Sequence, residues 1–209
     1  MYGVQIFLTM LNEPARLDWR EARRDAARAT ILAAAWQLVR EDGLAALSLR
    51  ELARRAGITT PTVYAYFDSK NAIFDAMFGE GAQSFAAVAE QPFGTDDPKE
   101  RLLICTERFV DFCISDAPRY QLLFQHSVPG FVPSEESFAP AIRALDVARE
   151  QLALNGVRDP RHVDLWTALT TGLVDQQIAN DPGGDRWSRL IEDGTQMFLT
   201  HCANERTTK

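Results

Sequence analysis

Between Thr59 and Tyr66 the chain sets out five hydroxyls, on Thr59, Thr60, Thr62, Tyr64 and Tyr66, with Arg50 before them and Lys70 after. Hydroxyls donate to phosphate oxygens or to base edges, a threonine methyl can meet a thymine methyl, and an arginine can bridge O6 and N7 of guanine. The run therefore suits contact with nucleic acid. Other chemistry finds no support in the spacing. No Gly-rich phosphate loop is present, and no Ser/His/Asp or Cys/His set can be placed together. Asp96-Asp97 and Glu135-Glu136 read as solvated loop charge. His126, His162 and His201 match no metal-ligand spacing. Cys105, Cys113 and Cys202 are odd in number and lack a CxxC pattern, so they read as reduced thiols. No catalytic residue, cofactor or metal is expected.

The elements that must hold this run are helical. Trp19 to Glu41 is rich in Ala, Arg and Leu, and Ala27, Ile31, Ala34, Ala35 and Leu38 recur at three- and four-residue spacing. Gly43 ends that helix. Ser48 opens a second helix with Glu51 three residues on, the pattern of a capping box. Gly57 stops it. Thr59 or Thr60 then caps a third helix reaching about Tyr66, with Pro61 in its first turn. Asp68 or Ser69 caps a fourth, which Gly79 and Gly81 are expected to bend or interrupt. Gln91 to Pro98 is a loop and the expected junction between head and body. Five further helices are expected at about 98–115, 117–126, 135–154, 160–180 and 185–204, set apart by Pro and Gly breakers. No period-2 alternation argues for a strand, so the predicted fold is all-α, with about nine helices.

Composition narrows the class. A hydrophobic content of 46% over 209 residues allows a substantial core. The net charge of −7 opposes nucleic-acid binding at first sight, but its distribution does not. Residues 1–80 carry ten basic and ten acidic side chains, so all the excess acid follows them. Arg16, Arg20, Arg23, Arg24 and Arg28 gather at the start of the first helix, where a phosphate-facing patch could form. Met1 to Leu11 is apolar but has no basic n-region or cleavage site, and no membrane span is indicated. Met1 and Met10 both remain open as the native start. A cytoplasmic protein is expected.

The segment from Leu44 to Lys70 resembles the DNA-binding head of the tetracycline-repressor (TetR) family. Leu47, Ser48, Leu52, Ala53, Gly57-Ile58, Thr62-Val63-Tyr64, Phe67 and Lys70 carry the likeness. They give Ala-x-x-x-Gly-Ile followed by Tyr-x-x-Phe-x-x-Lys without a gap. The resemblance covers about residues 20–80 and implies a bacterial helix–turn–helix regulator. It implies phosphate contacts for Tyr64 and Lys70, and a position able to reach a base for Arg50. Together with the residue chemistry, it gives an expected DNA-binding set of Arg24, Ser48, Arg50, Thr59, Thr60, Pro61, Thr62, Tyr64, Tyr66 and Lys70. Phe67 reads as core, and Arg54 and Arg55 as a solvated helix face.

The resemblance also implies a homodimer on a palindromic operator of double-stranded DNA. The last two helices offer the apolar stripes, with Val163, Leu173, Val174, Ile178, Trp187, Ile191, Met197 and Phe198 as the expected interface. A pocket for a small organic ligand is expected among Phe109, Phe112, Cys113, Tyr120, Phe124, His126, Phe138, Ile142, Trp166 and Thr170, with Gln176 and Gln177 as further polar groups. The expected division is an N-terminal extension over 1–18, open to disorder, a DNA-binding domain over 19–67, and a ligand-binding and dimerisation domain over 68–209. The expected function is a repressor released from its operator by ligand, with the fourth helix and the 91–98 loop transmitting the change. An activator of the same fold, and a helical ligand-binding protein with a degenerate head, both stay open.

Overall fold

The computed structural model describes residues 13–207, with side chains described from 19 to 205. Most of the expected N-terminal extension, residues 1–12, lies outside the described residues, as do the side chains of the next six, Arg16 among them. Among the described residues there are nine α-helices, two short 3-10 turns and no strand. The helices are α1 (Glu13–Asp42), α2 (Leu49–Arg55), α3 (Thr60–Tyr64), α4 (Lys70–Ala89), α5 (Pro98–Ser115), α6 (Ala117–Phe124), α7 (Glu135–Leu154), α8 (Pro160–Asn180) and α9 (Ile191–Thr207). None of the described helices is long and apolar enough to cross a membrane. The chain divides into two compact units between Met77 and Phe78, inside α4, and the 91–98 loop lies within the second unit.

In the first unit, α1 begins at Glu13, earlier than the apolar periodicity marks. Pro14 falls in its first turn, where a missing N–H leaves no bond unmade, and helix formers follow. Gly43, at φ 83°, takes the chain out of α1 while its N–H still donates to the Val39 carbonyl. Ser48 caps α2 by accepting from the Glu51 N–H. Only half of the expected capping box forms, because the Glu51 carboxylate turns instead to Arg54 and Arg55. α2 closes with Gly57 at φ 67°, where the Ile58 N–H reaches the Ala53 carbonyl and the Gly57 N–H that of Arg54. That pair of bonds is the Schellman geometry, and it makes the turn of the helix–turn–helix. Thr59 caps α3 and Ser69 caps α4. α1 packs against α2, and α2 against α3. Ile31, Leu38, Val39, Leu52, Val63 and Phe67 are buried, as apolar residues at helical spacing require.

The second unit is arranged around α5, which packs against α6, α7, α8 and α9. Leu102, Leu152, Trp166, Phe198, Leu199 and Cys202 form one core cluster of this unit. α4 runs unbroken through Gly79 and Gly81, so the interruption expected there does not occur. The glycines permit close approach instead. A Cβ on Gly79 would stand 3.1 Å from Ser137 Oγ, and one on Gly81 3.2 Å from Leu123 Cδ1. α6 ends at Phe124 rather than 126, and the last helix starts at Ile191 after a 3-10 turn, Ser188–Leu190. Gln177, buried in α8, sets that turn. Its amide donates to the Asp181 and Gly184 carbonyls, and its oxygen accepts from the N–H groups of Trp187 and Ser188.

Candidate nucleic-acid interface and body sites

The helix–turn–helix sorts its polar residues into two groups. One group is consumed in building the head. Arg55, its side chain 16% exposed, binds Glu51 on its own helix at 3.0 Å and Asp42 at the end of α1 at 2.9 Å, and also pairs with Glu41. Arg54 pairs with Glu51. Two guanidinium groups hydrogen-bonded to Glu51, Arg54 first and Arg55 next, hold its carboxyl at about 2 against an ordinary 4.5. These two arginines are therefore ion-paired rather than merely solvated. Arg28 is likewise taken up, since its Nη1 donates to the Tyr66 carbonyl at 2.6 Å and its guanidinium lies 4.3 Å from the Phe67 ring centre. That removes it from the expected phosphate-facing patch.

The other group faces outward. Tyr64 is 51% exposed, Pro61, Thr59, Ser48, Arg50 and Arg24 are exposed, and Thr60, Thr62, Tyr66 and Lys70 are half-buried. Among the described residues no ion pair or hydrogen bond engages the side chains of Arg24 or Arg50. Thr59 and Thr62 share a hydrogen bond of 2.8 Å between their hydroxyls, and Thr59 accepts from the Thr62 N–H. One of the two therefore keeps only part of its capacity for an outside partner. Lys70, first residue of α4, has its ammonium 5.4 Å from the Phe74 ring centre. Phe67 is buried, as its reading as core requires.

In the second unit the ten expected ligand residues do not line one cavity. Phe109, Phe112, Tyr120 and Phe124 meet in a ring cluster with Phe85, which the sequence reading did not include. Phe85 stands 5.0 Å from Phe112, 5.6 Å from Phe124 and 5.9 Å from Phe109. The Tyr120 hydroxyl donates to Asp175 Oδ1 at 2.8 Å, and Gln125 donates to the same oxygen. Cys113 is buried, and its thiol is pushed well above the ordinary value by that burial first and by Asp175 second. The others lie elsewhere. His126 is exposed at φ 48° just past α6, and Phe138 and Ile142 are exposed on α7. Trp166 belongs to the cluster around Leu102 and Phe198, and the buried Thr170 bonds back to the Trp166 carbonyl. The unit does carry an open groove of about 560 Å³, lined by Phe93, Arg101, Val147, Glu150 and Gln151 among others, and none of the ten reaches it.

The expected dimer residues also divide. Val174, Ile191 and Phe198 are buried within the chain and belong to its core, since a period of 3.6 places apolar residues on an inner face without saying which partner covers it. Val163, Leu173, Ile178 and Trp187 are half-buried, and Met197 is 63% exposed. Leu165, absent from the expected set, is exposed on α8.

Folding also assembles a group that spacing did not signal. His162 of α8 and His201 and Glu205 of α9 bring their ligand atoms within 4.8 Å of one another. The histidines match no metal-ligand spacing along the sequence, and it is the fold that sets two of them beside a carboxylate. The separation of His201 and Glu205 by four residues on one helix was the available clue.

A short helix offered beyond a glycine turn on a three-helix head is the arrangement of a helix–turn–helix DNA-binding unit. Residues 31–77 match the model for bacterial regulatory proteins of the tetR family. The chain is 31% identical over 104 residues to the transcriptional activator FasR of Mycolicibacterium smegmatis, covering 49% of this chain and 48% of FasR. It is 39% identical over 70 residues to the transcriptional regulator EthR of Mycobacterium tuberculosis, covering 32% of each. The chain thus spans half or less of the curated relatives it matches. The crystal structure of the TetR-family regulator PfmR from Thermus thermophilus shares the fold, with TM-score 0.62 and 20% identity over 81% of this chain and 97% of that one. Residues 31–77 therefore carry a DNA-binding head of the tetR-family type, and the chain shares the fold of such regulators.

Proposed function

We propose that the chain acts as a cytoplasmic homodimer that binds a palindromic operator, represses transcription there, and leaves when a small organic ligand binds the second unit. The observation that carries this reading is the division of cations in the head. Arg28, Arg54 and Arg55 are spent on internal bonds, while Arg24 and Arg50 stand exposed with Tyr64. Tyr64 and Lys70 contact phosphates and fix the register, Arg50 reads a base, and Thr60 and Thr62 supply the remaining readout. A five-residue α3 spans few base pairs, so usable affinity needs two heads at a fixed spacing. The exposed Leu165 and Met197 on α8 and α9 support pairing through those helices. Phe109, Phe112, Tyr120 and Phe124 support a ligand site whose polar end is Asp175 with Gln125. Ligand lowers operator affinity only by its differential affinity for the DNA-competent and DNA-incompetent states.

An activator is the second reading, favoured by the likeness to FasR. It uses the same DNA contacts and differs in promoter geometry, which the fold does not encode.

The test is binding of the full chain to labelled DNA from upstream of its own gene, over a salt series, beside a Tyr64→Ala/Lys70→Ala variant. Saturable binding that outcompetes random DNA, weakens steeply with salt and disappears in the variant supports the reading. Selection from random DNA covers a distant operator. If that selection also enriches no sequence, the head is degenerate and the chain is a helical ligand-binding protein. A ligand that raises the thermal midpoint yet leaves operator affinity unchanged overturns the release step.

A further inference from the structure

We propose that His162, His201 and Glu205 form a binding site for a divalent transition-metal ion of the zinc class, joining the start of α8 to the end of α9. This inference does not rest on DNA binding or on the organic-ligand site.

The geometry is that of two imidazoles converging on one carboxylate. His162 Nε2 lies 3.1 Å from Glu205 Oε2, and His201 Nε2 lies 3.6 Å from Glu205 Oε1. The two rings meet edge to face at 5.9 Å between centres. Zinc–nitrogen and zinc–oxygen bonds of about 2.0–2.2 Å in a tetrahedral site put ligand atoms about 3.3–3.5 Å apart. The two His–Glu spacings, to the two different carboxylate oxygens, lie close to that range, and all three ligand atoms lie within 4.8 Å of one another, so a metal ion would draw them together by side-chain rotation. His162 is buried and fixes one corner, while His201 and Glu205 are more open and can adjust.

His162 Nε2 and Glu205 Oε2 share a hydrogen bond of 3.1 Å. In the metal-free form the His162–Glu205 hydrogen bond holds one proton between nitrogen and oxygen. A metal ion takes the place of that proton, and both atoms become ligands. Two imidazoles with one carboxylate suit zinc, nickel or copper over magnesium or calcium, which take oxygen ligands. Three protein ligands leave a fourth position for solvent.

Two neighbouring charges bear on the site. Arg161 donates to Glu205 Oε2 at 3.2 Å and would oppose a cation. Its side chain is 69% exposed and already lies 3.8 Å from Asp159 Oδ2, so it can turn to that carboxylate.

The test uses the full chain, stripped of metal and free of any histidine tag, titrated with zinc chloride by calorimetry and scanned for thermal unfolding. The expected result is one zinc ion per chain and a raised unfolding midpoint. His201→Ala and Glu205→Gln change exposed or half-exposed positions, and their metal-free unfolding midpoints check the fold. Each should weaken zinc binding by more than about tenfold, the loss that removal of even an outer partner brings. No stoichiometric zinc uptake overturns the proposal, and so does zinc affinity unchanged from the unmutated chain in both variants. Cobalt substitution gives a measurement on the unmutated chain: visible bands without thiolate charge transfer support the site, and a thiolate band assigns the metal to cysteine and overturns it.

Discussion

Arg28 Nη1 donates to the Tyr66 carbonyl at 2.6 Å, tying the middle of α1 to the residue that follows the recognition turn. Its guanidinium also covers the ring of Phe67. A half-buried hydrogen bond from a charged group and a cation–π contact together are worth about 2 kcal/mol. Arg28→Ala should lower unfolding stability by about that amount in denaturant titration, with an unchanged m-value. Arg28→Lys should recover only part, because one ammonium cannot both reach the carbonyl and lie flat on the ring.

Arg50 and Arg55 sit five residues apart in sequence and should behave oppositely. Arg50→Ala should leave the thermal midpoint nearly unchanged and cost about 1–3 kcal/mol of operator affinity, with relaxed preference at one base pair. Arg55→Ala strips Glu41, Asp42 and Glu51 of a shared partner and should lower the midpoint. Side-by-side melting and base-scanned operator binding distinguish the two.

Glu51 gives the head an acid-side pH dependence. Its folded carboxyl sits at about 2 against an ordinary 4.5, so the unfolded chain binds the extra proton. Its contribution is fully present above about pH 4.5 and is lost as the pH falls toward about 2. Glu51→Gln should flatten that part of the stability profile. Because the cluster is solvated, added salt should shrink the difference.

Gly57 holds φ 67° with nothing within 4 Å of where a Cβ would stand. Gly57→Ala therefore costs backbone strain alone, about 1–2 kcal/mol. Chemical denaturation reads this loss directly, and Gly57→Asn should cost less than Gly57→Ala because asparagine tolerates the left-handed region.

Met197 and Phe198 are sequence neighbours on α9, about a quarter-turn apart, the first exposed and the second buried. Met197→Glu, with Leu165→Glu, should yield a folded monomer in sedimentation if α8 and α9 pair across a two-fold axis. Phe198→Ala should cost about 3–5 kcal/mol of stability whatever the oligomeric state.

Much of this protein could be read from local rules. Ser48, Gly57, Thr59 and Pro61 mark helix ends through capping and backbone geometry, and such effects act within a few residues. The all-α class, the body helices from α5 to α8 and the helix–turn–helix followed from those signals. The sequence by itself determined where helices start and stop, and that a hydroxyl-rich tip follows a glycine turn. The tertiary structure decided which side of each helix is covered. It turned Arg28 and Arg55 from candidate patch and surface charge into internal ties, sent Val174 and Phe198 to the core, and split the expected pocket residues between a ring cluster, another core and the surface. It also joined His162 to His201 and Glu205 across two helices. Periodicity reports that a face is apolar or charged, but what lies against that face depends on residues tens of positions away, and helical spacing carries no information about them.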